Sequence, residues 1–207
     1  MSNTKQDTAT RILDRALALI NTRGLMDVGI REVAKDLGMR PGNVTYYFPT
    51  KEHLVLALME RLRSLNASTV PTGEVRSVKE FLDRYRQMFR NQTAFVGLVV
   101  NMVNVMRYPS LARTYRTIEI ERMGAITQAI SELVAQGQLK HISDVRIARL
   151  TSTISLVSRF WTSEASLHPE QKINDAVMEH YMRLLATALK PVCTKAGRKS
   201  LKEAFAS

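Results

Sequence analysis

Cysteine occurs once in the 207 residues, as Cys193, so the chain cannot close an internal disulfide or assemble a thiolate zinc cluster. That usage fits a reducing cytosol. Tryptophan also occurs once, and six prolines and nine glycines are too few for a collagenous or low-complexity chain. Long hydrophobic runs are missing as well. The most apolar stretch, residues 95–106, is too short to span a bilayer and is interrupted by Asn101 and Asn104. Residues 1–7 are polar and lack the apolar centre of a signal peptide, so the expected location is the cytoplasm, with no membrane partner. The histidines are few and scattered, at His53, His141, His168 and His180, without metal-ligand spacing or a neighbouring nucleophile. No catalytic residue, metal or cofactor is expected, and the chain does not read as an enzyme.

What is abundant is positive charge. Thirty Lys and Arg against nineteen Asp and Glu leave a net +11, which suits a polyanionic partner because cations that neutralise phosphates release counterions. The excess is spread along the chain, however, so charge alone does not say where such a partner would lie. With 45% hydrophobic residues the chain has ordinary globular composition and can bury a small domain joined to a larger one.

The apolar periodicity is helical from end to end. Ile12, Leu13, Ala16, Leu17 and Ile20 recur at helical spacing, followed by Gly24 as a stop. A short helix fits residues 30–37, with Glu32 placed to reach back to the free N–H groups at its start, and Gly38 ends it. Pro41 opens a third helix over 41–47, where its missing N–H costs nothing. Thr50 caps a fourth, whose inner face is Leu54, Leu58, Leu62 and Leu65, and residues 66–74 read as a loop. Further helices are expected over 78–90, 94–107, 110–136, 144–167 and from Pro169 to about 191. The fold class is therefore all-α with about nine helices. Residues 192–207, with four basic side chains and one acidic, read as a mobile basic tail.

Three short helices with a Gly38-containing turn between the second and third are the parts of a helix-turn-helix, in which the third helix enters the DNA major groove. Residues 11–58 strongly resemble the DNA-binding region of the tetracycline-repressor (TetR) family. The resemblance is carried by Ile30-Arg31-Glu32-Val33-Ala34-Lys35-Asp36-Leu37-Gly38 and by Gly42-Asn43-Val44-Thr45-Tyr46-Tyr47-Phe48-Pro49-Thr50-Lys51-Glu52-His53-Leu54.

The resemblance implies a DNA-binding domain over 1–52, a helical effector-binding and dimerisation domain over 53–191, and the tail beyond it. By that resemblance the third helix presents Gly42, Asn43, Thr45, Tyr46 and Tyr47 to DNA, Arg31 and Arg40 flank it, and Lys51 meets a phosphate. Physical chemistry agrees with these roles. Gly42 permits close approach, and Asn43 carries the donor–acceptor pair for an adenine or, alternatively, a phosphate. Tyr46 and Tyr47 offer hydroxyls to phosphates or rings to thymine methyls, the alternative being that one of them packs between helices. Phe48 reads as core. Four positions depart from the family pattern: Gly29 stands where a hydroxyl cap is common, Arg40 where Ser is, Thr45 where an aromatic is, and Tyr47 where His is.

The implied function is a one-component transcriptional regulator: a repressor that binds a palindromic double-stranded operator as a homodimer and is released by a small-molecule effector. Candidate pocket residues are Tyr85, Met88, Phe89, Phe95, Met102, Met106, Tyr108 and Met123, a pliable apolar set. Candidate dimer residues are Ala148, Ser152, Ser155, Trp161, Val177, Leu184 and Leu185, which could equally form the core of one protomer. The competing reading is a helical interaction module with nonspecific affinity for polyanions or membrane surfaces.

Overall fold

The computed structural model describes residues 2–167 and 172–206, and of residues 2–5 the backbone only. Among the described residues all regular structure is helical, in eleven α-helices and one 3-10 turn, and they form two compact units. Residues 1–65 and 94–115 make the first unit, residues 66–93 and 116–207 the second. The expected domain break at residue 52 falls near the start of the fourth helix (Lys51–Thr69); the two compact units part at residue 65, inside that helix, and the first also takes in a later segment.

In the first unit, α1 (Ser2–Arg23) buries Ile12, Ala16, Leu19 and Ile20, the side expected from its periodicity. It packs against α2 (Ile30–Asp36) and α6 (Val96–Val99), and α3 (Pro41–Thr45) packs on α2. Asn21 fixes the α1–α6 contact: its Nδ2 donates to the Ala94 carbonyl and its Oδ1 accepts from the Gly97 N–H, each at 2.9 Å. Helix α4 (Lys51–Thr69) buries Leu54 and Leu58 as expected, and Val55 and Met59 beside them.

The single helix expected over 94–107 is two short ones, α6 and α7 (Met102–Val105). Asn101 interrupts it: its side-chain Nδ2 donates to the Gly97 carbonyl at 2.9 Å, and its backbone leaves helical geometry. Asparagine competes with the helix ladder in this way because its amide mimics a peptide group. Asn104 in turn donates to Asn101 Oδ1 at 3.2 Å, so both polar residues of this apolar run have partners.

The second unit holds α5 (Val78–Thr93), most of α8 (Pro109–Ala135), α9 (Asp144–Ala165), α10 (Asp175–Leu189) and α11 (Lys195–Glu203). Its core is aromatic at the centre. Phe89 stacks on Trp161 with ring centroids 4.8 Å apart, and Trp161 meets Tyr181 at 5.6 Å. Despite its many Ser and Thr residues α9 stays helical because it buries Leu150, Ile154, Trp161 and Ala165, while hydroxyls such as Thr153 Oγ1 donate to a carbonyl one turn back, here Arg149 at 2.9 Å. The last long helix begins at Asp175, capped by Asn174 Oδ1 accepting from the Val177 N–H. Its expected start, Pro169, lies outside the described residues, as does His168.

The tail differs from expectation. Residues 195–203 form α11, packed on α5, with Gly197, Ser200 and Ala204 buried. It is pinned by main-chain bonds: the Lys140 N–H donates to Val192 O at 2.8 Å and the Thr194 N–H to Gln138 O at 3.0 Å. Thr194 Oγ1 accepts from the Gly197 N–H and donates to Gly137 O, capping the helix. Glycine is required at 197, because a Cβ there would lie 2.0 Å from the Gln138 carbonyl oxygen. Net charge gave no hint of this, since the buried positions are the small ones between the lysines.

Candidate nucleic-acid interface

Helix α2 starts without a side-chain cap at Gly29. Glu32 reaches back to make the reciprocal bond, its Oε2 accepting from the Gly29 N–H at 2.9 Å. The helix stops in a Schellman turn: the Gly38 N–H reaches Lys35 O at 3.2 Å and the Met39 N–H reaches Ala34 O at 2.9 Å. Gly38 has φ +65°, a conformation glycine adopts without the strain a Cβ would bring. Three residues after Gly38, Pro41 opens α3 from an extended Arg40. Val33 and Ala34 of α2, Val44 of α3 and Phe48 are buried, which fixes the two helices against one another and leaves the other face of α3 open.

On that open face Arg40, Gly42, Asn43 and Tyr46 are exposed, with Arg31 exposed on α2. Tyr46 leaves 64% of its surface in solvent. Its ring meets that of Tyr47 edge to face at 5.0 Å, and Tyr47 is half-buried. A Cβ added at Gly42 would meet nothing within 4 Å, so nothing in the chain itself demands glycine there. Phe48 is core, as expected.

Two of the expected contacts are engaged inside the protein. Thr45 Oγ1 donates to the Gly42 carbonyl at 3.1 Å. Lys51 is half-buried and its Nζ donates to the Met26 carbonyl at 3.1 Å. Burial lowers the Lys51 pKa, while the charges of Glu32 and Asp27 oppose that shift. The lysine therefore ties α4 to the loop before α2. Thr50 caps α4 as expected, accepting weakly from the His53 N–H and meeting His53 Nδ1 at 2.9 Å.

The candidate pocket residues divide between the units. Tyr85, Met88, Phe89 and Met123 belong to the second, with Tyr85 and Phe89 buried; Phe95, Met102, Met106 and Tyr108 belong to the first. Desolvation raises the Tyr85 hydroxyl well above its ordinary range, partly offset by the charge of Arg122. Near it stands a charged cluster that sequence reasoning missed. Glu119 bonds both Arg122 and Arg159, and Ser155 Oγ lies 3.3 Å from the same carboxylate. No local signal marks it, because its members come from two helices.

Of the candidate dimer residues, Trp161, Leu185 and Ser155 are buried within the single chain, so they are protomer core and offer no surface to a partner. The Ser155 hydroxyl faces the Glu119 carboxylate. Ala148, Ser152 and Leu184 are exposed and Val177 is half-buried. Val145, Leu156 and Phe160, which that expectation did not include, are exposed by 62, 57 and 39% along α9.

A helix-turn-helix with one open polar face, followed by a helical unit, defines a regulatory DNA-binding protein. Residues 12–58 match the family described as bacterial regulatory proteins, tetR family, and residues 60–201 match a bacterial transcriptional repressor family, also TetR. The chain belongs to the TetR family of bacterial transcriptional regulators. It is 27% identical over 112 residues to an HTH-type transcriptional regulator of Haemophilus influenzae, covering 54% of this chain and 59% of that one. The matched segment thus spans little more than half the relative's length. Its fold is that of a TetR-family regulator from Marinobacter aquaeolei, with a TM-score of 0.84, 17% identity and coverage of 96 and 97% of the two chains. A transcriptional regulator from Saccharomonospora viridis, solved in complex with choline, superposes with a TM-score of 0.71 at 18% identity over 92% of this chain and all of that one.

Proposed function

We propose that the protein is a one-component repressor that holds a palindromic operator as a homodimer and releases it when a small molecule binds the second unit. The carrying observation is the open face of α3, where Asn43 and Tyr46 stand exposed beside Gly42, with Arg31 and Arg40 flanking. Asn43 has the paired donor and acceptor that a base edge offers in the major groove, and the arginines add phosphate attraction. Thr45, Tyr47 and Lys51 act mainly by shaping that face, given their internal bonds and burial.

Homodimerisation runs through α9 and α10. The exposed residues Val145, Ala148, Ser152, Leu156, Phe160 and Leu184 give an apolar surface of the kind that marks an interface. A twofold dimer presents two recognition helices, which gives the operator its palindrome.

The effector contacts Tyr85, Met88, Phe89 and Met123, with the Glu119–Arg122–Arg159 cluster offering a polar handle to a mostly apolar molecule. The structural relative bound to choline supports a small-molecule ligand in this fold. Its action is a population shift: an effector that prefers the operator-incompetent dimer lowers DNA affinity by its differential affinity for the two states.

The test is selection of bound fragments from the source genome with purified protein, followed by binding to the best site and a scrambled control at several salt concentrations. A palindromic winner favoured by on the order of a thousandfold supports the reading. Equal and steeply salt-sensitive binding to both would leave only phosphate attraction and sink it.

A further inference from the structure

Between α10, the turn Lys190–Val192 and α11 lies a groove of about 1050 Å³, wholly within the second unit. Arg183 and Lys190 line it from one side and Lys195, Arg198, Lys199 and Lys202 from the other, with Lys140 at the end; no acidic side chain lines it. Among the described residues none of these seven forms a salt bridge. The groove also has an apolar part, made by Ala186, Cys193, Leu201 and Phe205. Arg183 lies over the Phe205 ring at 4.7 Å, which holds that half-buried ring in place.

Gathering seven like charges around one concavity raises its positive potential, an arrangement that a compact anion of matching charge would stabilise. A polybasic arm serving DNA backbone attraction needs only net charge and works unstructured. Here the cations are held by a capped helix docked through Gly197, Ser200 and Ala204, and Ser200 Oγ accepts the Lys79 N–H at 2.9 Å. Cations carried on a docked helix beside an apolar wall suit a molecule that is anionic at one end and apolar at the other. The volume lies at the upper end of small-molecule sites, which run to roughly 1000 Å³.

We infer that this groove binds a small anion carrying two or more phosphate groups joined to a ring, the chemistry of a nucleoside di- or triphosphate. The phosphates lie among Arg198, Lys199 and Lys202, and the ring lies against Phe205 and Leu201. This site is separate from the effector contacts proposed above and does not rest on them.

The experiment is calorimetric titration of the full-length protein with ATP, AMP and pyrophosphate at physiological salt. A second readout is the alkylation rate of Cys193, whose buried thiol lines the groove. The expected result is saturable ATP binding that slows alkylation, with AMP and pyrophosphate each at least tenfold weaker. The R198A/K199A pair and the milder F205L should each weaken ATP at least fivefold, while R146A, exposed on α9 outside the groove, leaves it unchanged. Circular dichroism confirms that each variant is folded. Absence of saturable ATP binding overturns the proposal, as does binding indifferent to R198A/K199A. Pyrophosphate binding equal to ATP overturns the role of the ring. Loss of affinity for non-operator duplex in R198A/K199A without any ATP binding assigns the cations to the DNA backbone instead.

Discussion

The indole N–H of Trp161 donates to the side-chain oxygen of Gln92 at 2.5 Å, inside the second unit where both residues are buried. Gln92 completes the arrangement by donating to the Ser158 carbonyl at 3.1 Å. Q92L removes both bonds and leaves the buried indole N–H without a partner, while the Ser158 carbonyl keeps its bond within α9, a loss of about 1–3 kcal/mol. The urea midpoint should fall accordingly. Because Trp161 is the only tryptophan, its fluorescence reports this core alone, and an unchanged midpoint would show that water replaces the bonds.

On the recognition helix the expected losses are of binding and not of folding. N43A and Y46A should each weaken the selected operator by about 1–3 kcal/mol if they touch bases, roughly five- to 150-fold, while nonspecific DNA binding changes little. Thermal stability stays close to wild type, since both side chains are exposed. Equal losses on operator and scrambled duplex would instead place both residues on phosphates.

The exposed apolar stripe of α9 and α10 gives a third outcome. L156E combined with L184E puts charge into the proposed interface and should yield a monomer in sedimentation velocity, with operator affinity down at least tenfold and helix content unchanged. A dimer that survives both changes would move the interface elsewhere.

Acid sensitivity follows from Glu80 at the start of α5. Burial raises its pKa, but the Arg76 N–H at 3.0 Å and the Arg84 guanidinium at 2.6 Å outweigh that and hold it below the ordinary carboxylate value. A depressed folded pKa contributes stability that is fully present above the unfolded value, about 4.3, and is lost as pH falls through the folded one. E80Q should therefore be less stable than wild type at pH 7, with the difference closing as pH drops below about 4. A difference that stayed constant with pH would show that the hydrogen-bond geometry matters and the charge does not.

Local patterns made the first unit legible from sequence. The run Ile30–Gly38 fixes a short helix through its apolar spacing, the reach of Glu32 to Gly29 and a glycine at the one position with positive φ in the turn. Pro41, Val44 and Phe48 then set the phase of α3, which decides that Asn43 and Tyr46 face outward. These signals span three or four residues, the range over which backbone hydrogen bonding and helical periodicity act.

Tertiary structure decided what such spacing cannot reach. Apolar periodicity marks Trp161, Leu185 and Leu184 alike, yet packing buries the first two and leaves the third open. The Glu119–Arg159 pair joins residues forty positions apart, and Lys51 finds its carbonyl partner twenty-five residues upstream. The tail shows the same division most plainly. Its lysines were evident in the sequence, but its order rests on Gly197 meeting the Gln138 carbonyl and on Thr194 capping against the 137–138 turn. Sequence fixes which side chains a segment has to bury. Where those surfaces meet, and so which face of α9, α10 and α11 is left for a partner, depends on close packing between segments distant in the chain.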